Sequence, residues 1–182
     1  GAASSYRASH WILAGEDLKF TSARQLASKF SAVCDAVYHQ APIVHNELIN
    51  RRTLSSAASA ARRQLIELML KNGNTFRLGI EKFPPEVSLY LSVLHASGLH
   101  HYEGGTWVFG PDEQQKDTMG VNSLWETIDR FLDETESKAR QVPELYATLR
   151  QPPYGIKDGL LPIYLVVAIL FWGRELAVYE EG

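Results

Sequence analysis

The sequence predicts a mainly α-helical fold with short β-hairpins. Most segments repeat apolar residues every three or four positions, which is the spacing of one face of an α-helix. Residues 160–172 carry no charge and lie between two turns, a pattern typical of a buried helix. Two short alternating runs flank Gly104-Gly105, which indicates a hairpin. A helix followed by a hairpin is the order of a winged helix, and both halves of the chain fit that order. We therefore expect two winged-helix-like units packed together.

The composition indicates a folded protein of modest size. The chain has 182 residues, of which 45% are hydrophobic and 21% charged, enough for one domain or two small ones. Its single cysteine, Cys34, excludes an internal disulfide framework, and its helical neighbours predict a buried structural thiol. The apolar run is shorter than the about 20 residues of a bilayer span. No signal-peptide pattern opens the chain, so we expect a soluble, cytoplasmic protein, as part of a longer chain.

Three helices are predicted before the first β-element. Residues 20–38 form the first, with Thr21 or Ser22 as its cap. Its inward face is Leu26, Phe30, Val33 and Val37. A short helix over residues 43–51 follows Pro42. Its inward face is Val44 and Leu48, either alone or with Ile49. The third begins after Thr53 or Ser55 and runs to about Lys71. Its core stripe is Leu65, Leu68 and Met69, and Asn72-Gly73-Asn74 ends it.

A strand, a helix and the first hairpin come next. The strand covers residues 76–80. Pro84-Pro85 begins a helix that runs to Leu99, close to Gly98. Its inward residues are Val87, Leu91 and Leu94. The hairpin covers residues 102–109.

A polar loop over residues 110–121 is the predicted boundary between an N-terminal unit, 1–110, and a C-terminal unit, 111–182. Ser123 and Glu126 have the spacing of a capping box for a helix that runs to about Ser137. A further helix covers residues 142–149, and Pro152-Pro153 ends it. The apolar helix and a strand over 176–179 complete the second unit.

Charge is distributed unevenly along a chain whose net charge is −3. Residues 51–82 hold seven basic and two acidic side chains, a net charge of +5, whereas residues 110–150 hold nine acidic and five basic ones, a net charge of −4. The whole chain therefore lacks the basic character of a typical nucleic-acid binder, but one segment has it. Such asymmetry marks either a partner-binding face or a solvated mixture of charges.

Sequence motifs give no support to catalysis. The chain contains no GxxxxGK[ST], GxGxxG or GxSxG motif, and no histidine pair with HExxH spacing. The helical carboxylates Asp129, Asp133 and Glu136 have basic neighbours and are typical of a solvated face. We predict no catalytic residue, no cofactor and no metal site, so the chain by itself is not expected to be an enzyme.

One polar segment is the candidate contact site for nucleic acid or a partner protein. Its residues are Asn46, Asn50, Arg51, Arg52, Arg62 and Arg63. Closely spaced arginines bind phosphate oxygens, and neighbouring amides and hydroxyls add hydrogen bonds. The alternative is a buried polar network, in which the asparagines cap neighbouring helices and the arginines pair with acids.

Three longer segments resemble a region of very large bacterial P-loop ATPases associated with phage-defence (BREX-like) loci. They begin NELINRRTLSSAASAARR at Asn46, LGIEKFPPEVSLYLSVLH at Leu78 and PPYGIKDGLLPIYLVVAIL at Pro152. The resemblance covers about two-thirds of the chain and carries no catalytic motif. It implies an accessory module of a larger ATPase. The polar positions it singles out are Asn46, Glu47, Asn50, Arg51, Arg62, Arg63, Tyr154, Gly155, Lys157 and Asp158.

The preferred function is a non-catalytic winged-helix-like module that couples an ATPase to nucleic acid or to a partner subunit. The alternative is a structural or protein-interaction domain with no role in nucleic-acid binding. A membrane partner is not expected.

Overall fold

The structure, a computed structural model, describes residues 10–179, which form two compact units divided between His39 and Gln40. The mainly α-helical class with short antiparallel hairpins is confirmed. The loop over residues 110–121, where the sequence places a boundary, lies within the second unit. The main core cluster of that unit draws on residues from both sides of the loop.

The described part of the first unit is a hairpin and one helix. Strands β1 (Trp11–Leu13) and β2 (Glu16–Leu18) pair in an antiparallel register. Helix α1 (Ala23–Val37) begins after Ser22, whose hydroxyl accepts a hydrogen bond from the Gln25 amide at 3.2 Å, so the predicted cap is confirmed.

The burial predicted for α1 is wrong. None of its residues is buried, and Phe30 and Val37 are both exposed. Cys34 is exposed as well, which corrects the expectation of a buried thiol. The reason is that the amphipathic pattern specifies which face packs but not how much protein covers it. In the described residues of this unit, that cover includes only a hairpin of three-residue strands.

The second unit contains five helices and a hairpin among its described residues. Its helices are α2 (Ser56–Asn72), α3 (Pro85–Leu89, continued by a π-helical turn Tyr90–His95), α4 (Asn122–Asp133), α5 (Val142–Arg150) and α6 (Leu161–Trp172). A 3₁₀ turn, Glu134–Glu136, extends α4. Strands β3 (His100–Glu103) and β4 (Thr106–Phe109) pair with Tyr102 opposite Trp107.

The apolar helix α6 is interior scaffolding, as predicted. Ile163, Tyr164 and Val167 are fully buried, and the helix packs against α2 and β4. Leu65 and Met69 supply the buried stripe of α2, which begins at the predicted cap Ser55. Since the buried face of α6 presents apolar side chains, α6 offers no polar row for reading base edges.

The β3–β4 hairpin forms where the sequence places it. Gly104 and Gly105 occupy its two-residue turn with φ of +58° and +90°, values that glycine adopts without steric cost. The preceding helix is shorter than predicted, because α3 changes to π geometry at Tyr90 and ends at His95. Leu91, predicted to point inward, is 39% exposed.

Two predicted elements do not form in the first half of this unit. Residues 43–51 form an extended segment and a turn instead of a helix, because the Asn46 carboxamide oxygen accepts from the Leu48 amide and competes with helical hydrogen bonding. Residues 76–80 form a tight turn, Phe76–Gly79, instead of a strand. Arg77 and Leu78 have positive φ there, and this conformation takes Leu78 into the core.

Two further predictions are wrong in the second half. Helix α4 begins at Asn122 with no side-chain cap from its flanking residue, so Ser123 does not open a capping box. Asp117 caps the helix instead, since its carboxylate accepts hydrogen bonds from the backbone amides of Val121 and Asn122 at 3.0 and 2.9 Å. Residues 176–179 form no strand within the described part of the chain, so α6 is not followed there by a second hairpin.

Candidate functional site

Asn46 is an internal tie of the fold. It is only 7% exposed, and its amide nitrogen donates to the Ser88 carbonyl at 3.1 Å and to the Ser92 hydroxyl at 2.8 Å. Its oxygen accepts from the Leu48 amide at 3.0 Å. With both ends of the carboxamide engaged, Asn46 fixes the segment 44–50 against α3.

Asn50 and the two arginines after it lie on the outside. The Asn50 side chain donates to the Val44 carbonyl and closes the turn that precedes the arginines. Arg51 and Arg52 follow in a bend and are exposed. The structure therefore separates the polar segment into residues that hold the turn and residues that face solvent.

Arg62 and Arg63 lie on the N-terminal half of α2 and line an open groove. Ser56, Ser59 and Pro162 lie along the same groove. Arg63 is exposed, and the Arg62 guanidinium donates to the Asp158 carbonyl at 3.3 Å. None of the four arginines at positions 51, 52, 62 and 63 forms an ion pair within residues 10–179.

Close packing at Gly159 brings the two arginine pairs to one region. A Cβ at Gly159 would lie 2.8 Å from the Ile49 carbonyl oxygen, so only glycine lets the turn at 157–159 pack this closely on Ile49. Leu54 lines the groove with Arg62 and Arg63. The segment carrying Arg51 and Arg52 thus runs between a contact at Gly159 and the groove on α2.

Two more basic residues join this region, and sequence reasoning did not place them there. Arg150 forms an ion pair with Asp158 at 2.6 Å, and Lys157 is exposed in the same turn. Burial raises the pKa of Tyr146, and the charges of Arg62 and Arg150 oppose that shift, so both guanidinium groups lie near its ring. The resemblance singled out Lys157, whereas Arg150, about 90 residues from Arg62, gave no signal of proximity. We call the six residues the basic surface: Arg51, Arg52, Arg62, Arg63, Arg150 and Lys157.

The hairpin is anchored to the rest of the unit by a buried imidazole. His100 is fully buried, with Nδ1 at 3.0 Å from the Tyr90 hydroxyl and Nε2 at 2.8 Å from the Gly73 carbonyl oxygen. The Tyr90 oxygen also accepts from the Arg77 amide at 3.3 Å. In a neutral His100, Nε2–H donates to Gly73 while Nδ1 accepts from Tyr90, which joins α2, α3 and β3.

We expect the free energy of unfolding to fall in mild acid because of His100. Burial lowers the pKa of its imidazole, outweighing the Gly73 hydrogen bond, and the charges of His101 and His95 lower it further. The unfolded chain takes up the proton near pH 6.5 and the folded chain only at lower pH. The contribution of neutral His100 to stability is therefore complete above about pH 6.5. It is lost as the pH falls from there towards the folded-state pKa.

Urea unfolding at about pH 7 and about pH 5 measures this loss. A His100→Gln chain, which keeps a side-chain donor but does not titrate, should lose less stability over the same interval. An exposed histidine gives the control, since His39→Gln should follow the wild type. If the His100→Gln chain kept the full pH dependence of the wild type, His100 would not be the group that causes the loss of stability in acid.

Other candidate chemistry is sparse in the described residues. No group of three or more histidine, cysteine, aspartate or glutamate side chains within residues 10–179 is arranged to hold a metal ion. A second open groove between α2, the hairpin and α6 contains His101 and Glu103, with 3.9 Å between Nε2 and Oε2. No described helix has both the length and the apolar character needed to cross a bilayer.

Comparison of the chain with models of protein families, with curated proteins and with solved structures gives no match. The functional argument therefore rests on the geometry of the chain's own residues.

Proposed function

We propose that this chain is a non-catalytic, winged-helix-like module of a larger ATPase, and that it couples the ATPase to nucleic acid through the basic surface. The observation that carries the proposal is the accessibility of these charges. Five of the six residues are exposed and Arg62 is partly so, while only Arg150 has an ion-pair partner among the described residues. Exposed arginines without an ion-pair partner are available to bind phosphate oxygens.

The order of elements supports the winged-helix-like description for residues 56–109. Helices α2 and α3 precede a hairpin whose turn is Gly104-Gly105, as in the helix–helix–wing order. The buried helix α6 is not a reading helix. We therefore propose contacts with phosphates, which position a protein on nucleic acid without selecting a sequence.

Two titratable groups with shifted pKa values, Asp117 and His100, have structural roles in the fold. Burial raises the pKa of Asp117, but hydrogen bonds from four backbone amides lower it by more, as suits a helix cap. His100 anchors the hairpin. The link to an ATPase rests on the resemblance described above, and a protein-only interaction remains the alternative.

The test is binding of labelled 30-nucleotide single strands and of duplexes, followed by fluorescence anisotropy at several salt concentrations. We expect binding that weakens steeply with salt, since each phosphate contact contributes about −0.7 to −0.9 to the slope of log K against log [salt]. Arg62→Glu combined with Arg63→Glu should remove measurable binding, because it replaces two phosphate ligands with repelling carboxylates.

The control is Arg130→Glu combined with Lys138→Glu, which changes net charge equally but in the acidic stretch 110–150. This variant should retain more affinity than the groove variant. If Arg62→Glu combined with Arg63→Glu leaves the affinity unchanged, the basic surface is not the nucleic-acid site, and the protein-interaction alternative is favoured.

A further inference from the structure

A second surface of the same unit is built from aromatic rings. Phe76 lies 4.9 Å from Trp107 between ring centroids, and Trp107 lies 5.9 Å from Tyr102 across the hairpin. Phe83 is linked to them through Arg77, which follows Phe76 in the chain and whose guanidinium lies 5.4 Å from the Phe83 ring centroid. We call the four rings, Phe76, Phe83, Tyr102 and Trp107, the aromatic row.

Three of the four rings in the aromatic row are more exposed than large apolar side chains usually are. Phe76 is 50% exposed, Tyr102 63% and Phe83 84%. Large apolar side chains are usually covered, and neighbouring exposed ones mark sites of contact with another molecule. Phe109, which lies on the same strand as Trp107, is buried by contrast.

The backbone beneath the row is held in an unfavourable conformation. Arg77, Leu78 and Lys82 are not glycines, yet their φ values are +52°, +56° and +59°. A non-glycine residue in this region is strained, so the surrounding structure must hold these residues in place. Leu78 provides that hold, since it is fully buried and its carbonyl accepts a hydrogen bond from the Asn72 side-chain nitrogen Nδ2 at 3.0 Å. The result is that Phe76 and Arg77 are presented in fixed positions.

Charge beside the rings favours an anionic occupant. Arg77 and Lys82 lie in the segment 71–83, where Glu81 is the one acid, while Lys71 of the same segment pairs with Glu67 at 3.8 Å. Glu103, at the tip of the hairpin, places negative charge at the opposite end of the row. A bound polyanion would therefore direct its phosphates towards Arg77 and its apolar groups onto the rings.

We infer that the aromatic row is a stacking site for the unpaired bases of single-stranded nucleic acid. Bases stack on aromatic side chains whatever their sequence, because each presents a π-face, and basic residues alongside bind the backbone. In a duplex the bases are already stacked and their faces are covered. The inference deepens the proposed function, on which it rests for the class of ligand, by making the preferred partner single-stranded.

The test compares a labelled 15-nucleotide oligothymidine with a duplex of equal length, using the full chain and fluorescence anisotropy. Phe76→Leu and Tyr102→Leu should each weaken single-strand binding about 5- to 150-fold, the range for loss of one stacked base. Affinity for the duplex should stay unchanged. Both changes are at exposed positions and keep an apolar side chain, and thermal unfolding verifies the fold.

Phe30→Leu is the matched control, because Phe30 is also 50% exposed but lies on α1 in the other unit. It should leave both affinities unchanged. Equal affinity of the wild type for single strand and duplex, or ring variants that bind as the wild type does, would overturn the inference. A proline-rich peptide gives a further test. If it binds the wild type without displacing an oligonucleotide, and Phe76→Leu abolishes its binding, the aromatic row binds a peptide and the inference is overturned.

The two proposals fail in different ways. If the Arg62→Glu, Arg63→Glu chain keeps single-strand binding that the ring variants lose, the basic surface is eliminated and the stacking site stands. If only the arginine variant loses binding, the stacking site is eliminated and the basic surface stands. A wild type that binds neither oligonucleotide eliminates both.

Discussion

We expect Ile163→Ala in helix α6 to lower the free energy of unfolding by about 2–5 kcal/mol. Ile163 is fully buried and belongs to the core cluster that joins α6 to α2 and the hairpin. Truncation removes apolar contacts and leaves a cavity that neighbouring helices fill only in part. This prediction tests the claim on which the fold rests, that the charge-free helix is an interior element.

The same substitution at Ile169 is the matched control. Ile169 lies on the same helix but is partly exposed, and it is not among the residues of the core cluster. We expect a clearly smaller loss of unfolding free energy for Ile169→Ala, because the truncation removes less buried apolar surface. Denaturant unfolding followed by tryptophan fluorescence measures both, since Trp125 and Trp172 stack at 4.8 Å near the end of α6. Equal losses at the two positions would contradict the orientation of the helix.

Much of the helical framework could be predicted because it depends on local signals. Ser22 and Ser55 cap the helices they precede, and Gly104-Gly105 forms the only two-residue turn that the flanking alternation allows. In each case the physical cause lies within four residues of the effect. The apolar helix was equally predictable, because no solvent-exposed position tolerates thirteen uncharged residues in a row at low cost.

Several of the errors involve interactions between distant residues. Asn46 finds its partners at Ser88 and Ser92, and these contacts, together with the Leu48 amide, replace a helix that local spacing favoured. Burial of Leu78 forces a left-handed turn where alternation suggested a strand. A single sequence contains these residues but gives no sign of which ones meet.

The candidate site shows the same division. The arginines at 51, 52, 62 and 63 were identifiable from their spacing, but their assembly depends on close packing of Gly159 against Ile49. Arg150 enters through its ion pair with Asp158, which joins the end of α5 to the following turn. The aromatic row was not predicted, since its rings come from two separate parts of the chain, the segment 71–83 and the hairpin, and each alone resembles ordinary core.

Two buried tyrosines should respond in opposite directions to loss of the hydroxyl. Tyr164 and Tyr90 are both fully buried, but their hydroxyl groups differ in hydrogen bonding. The Tyr90 oxygen accepts from the Arg77 amide and lies 3.0 Å from His100 Nδ1. The Tyr164 oxygen has no hydrogen-bond partner among the described residues, and burial raises the pKa of its phenol well above the ordinary value.

Tyr90→Phe should therefore lower the free energy of unfolding by about 1–3 kcal/mol, because the His100 ring and the Arg77 amide each lose a partner inside the protein. Tyr164→Phe should raise it by about 1 kcal/mol, since the phenol loses a polar atom that the fold leaves unpaired. Each variant deletes one oxygen and little volume, so each serves as the other's control in urea unfolding. Destabilisation of equal size in both would show that Tyr164 has a polar partner in solution and would contradict the unpaired state of its hydroxyl group.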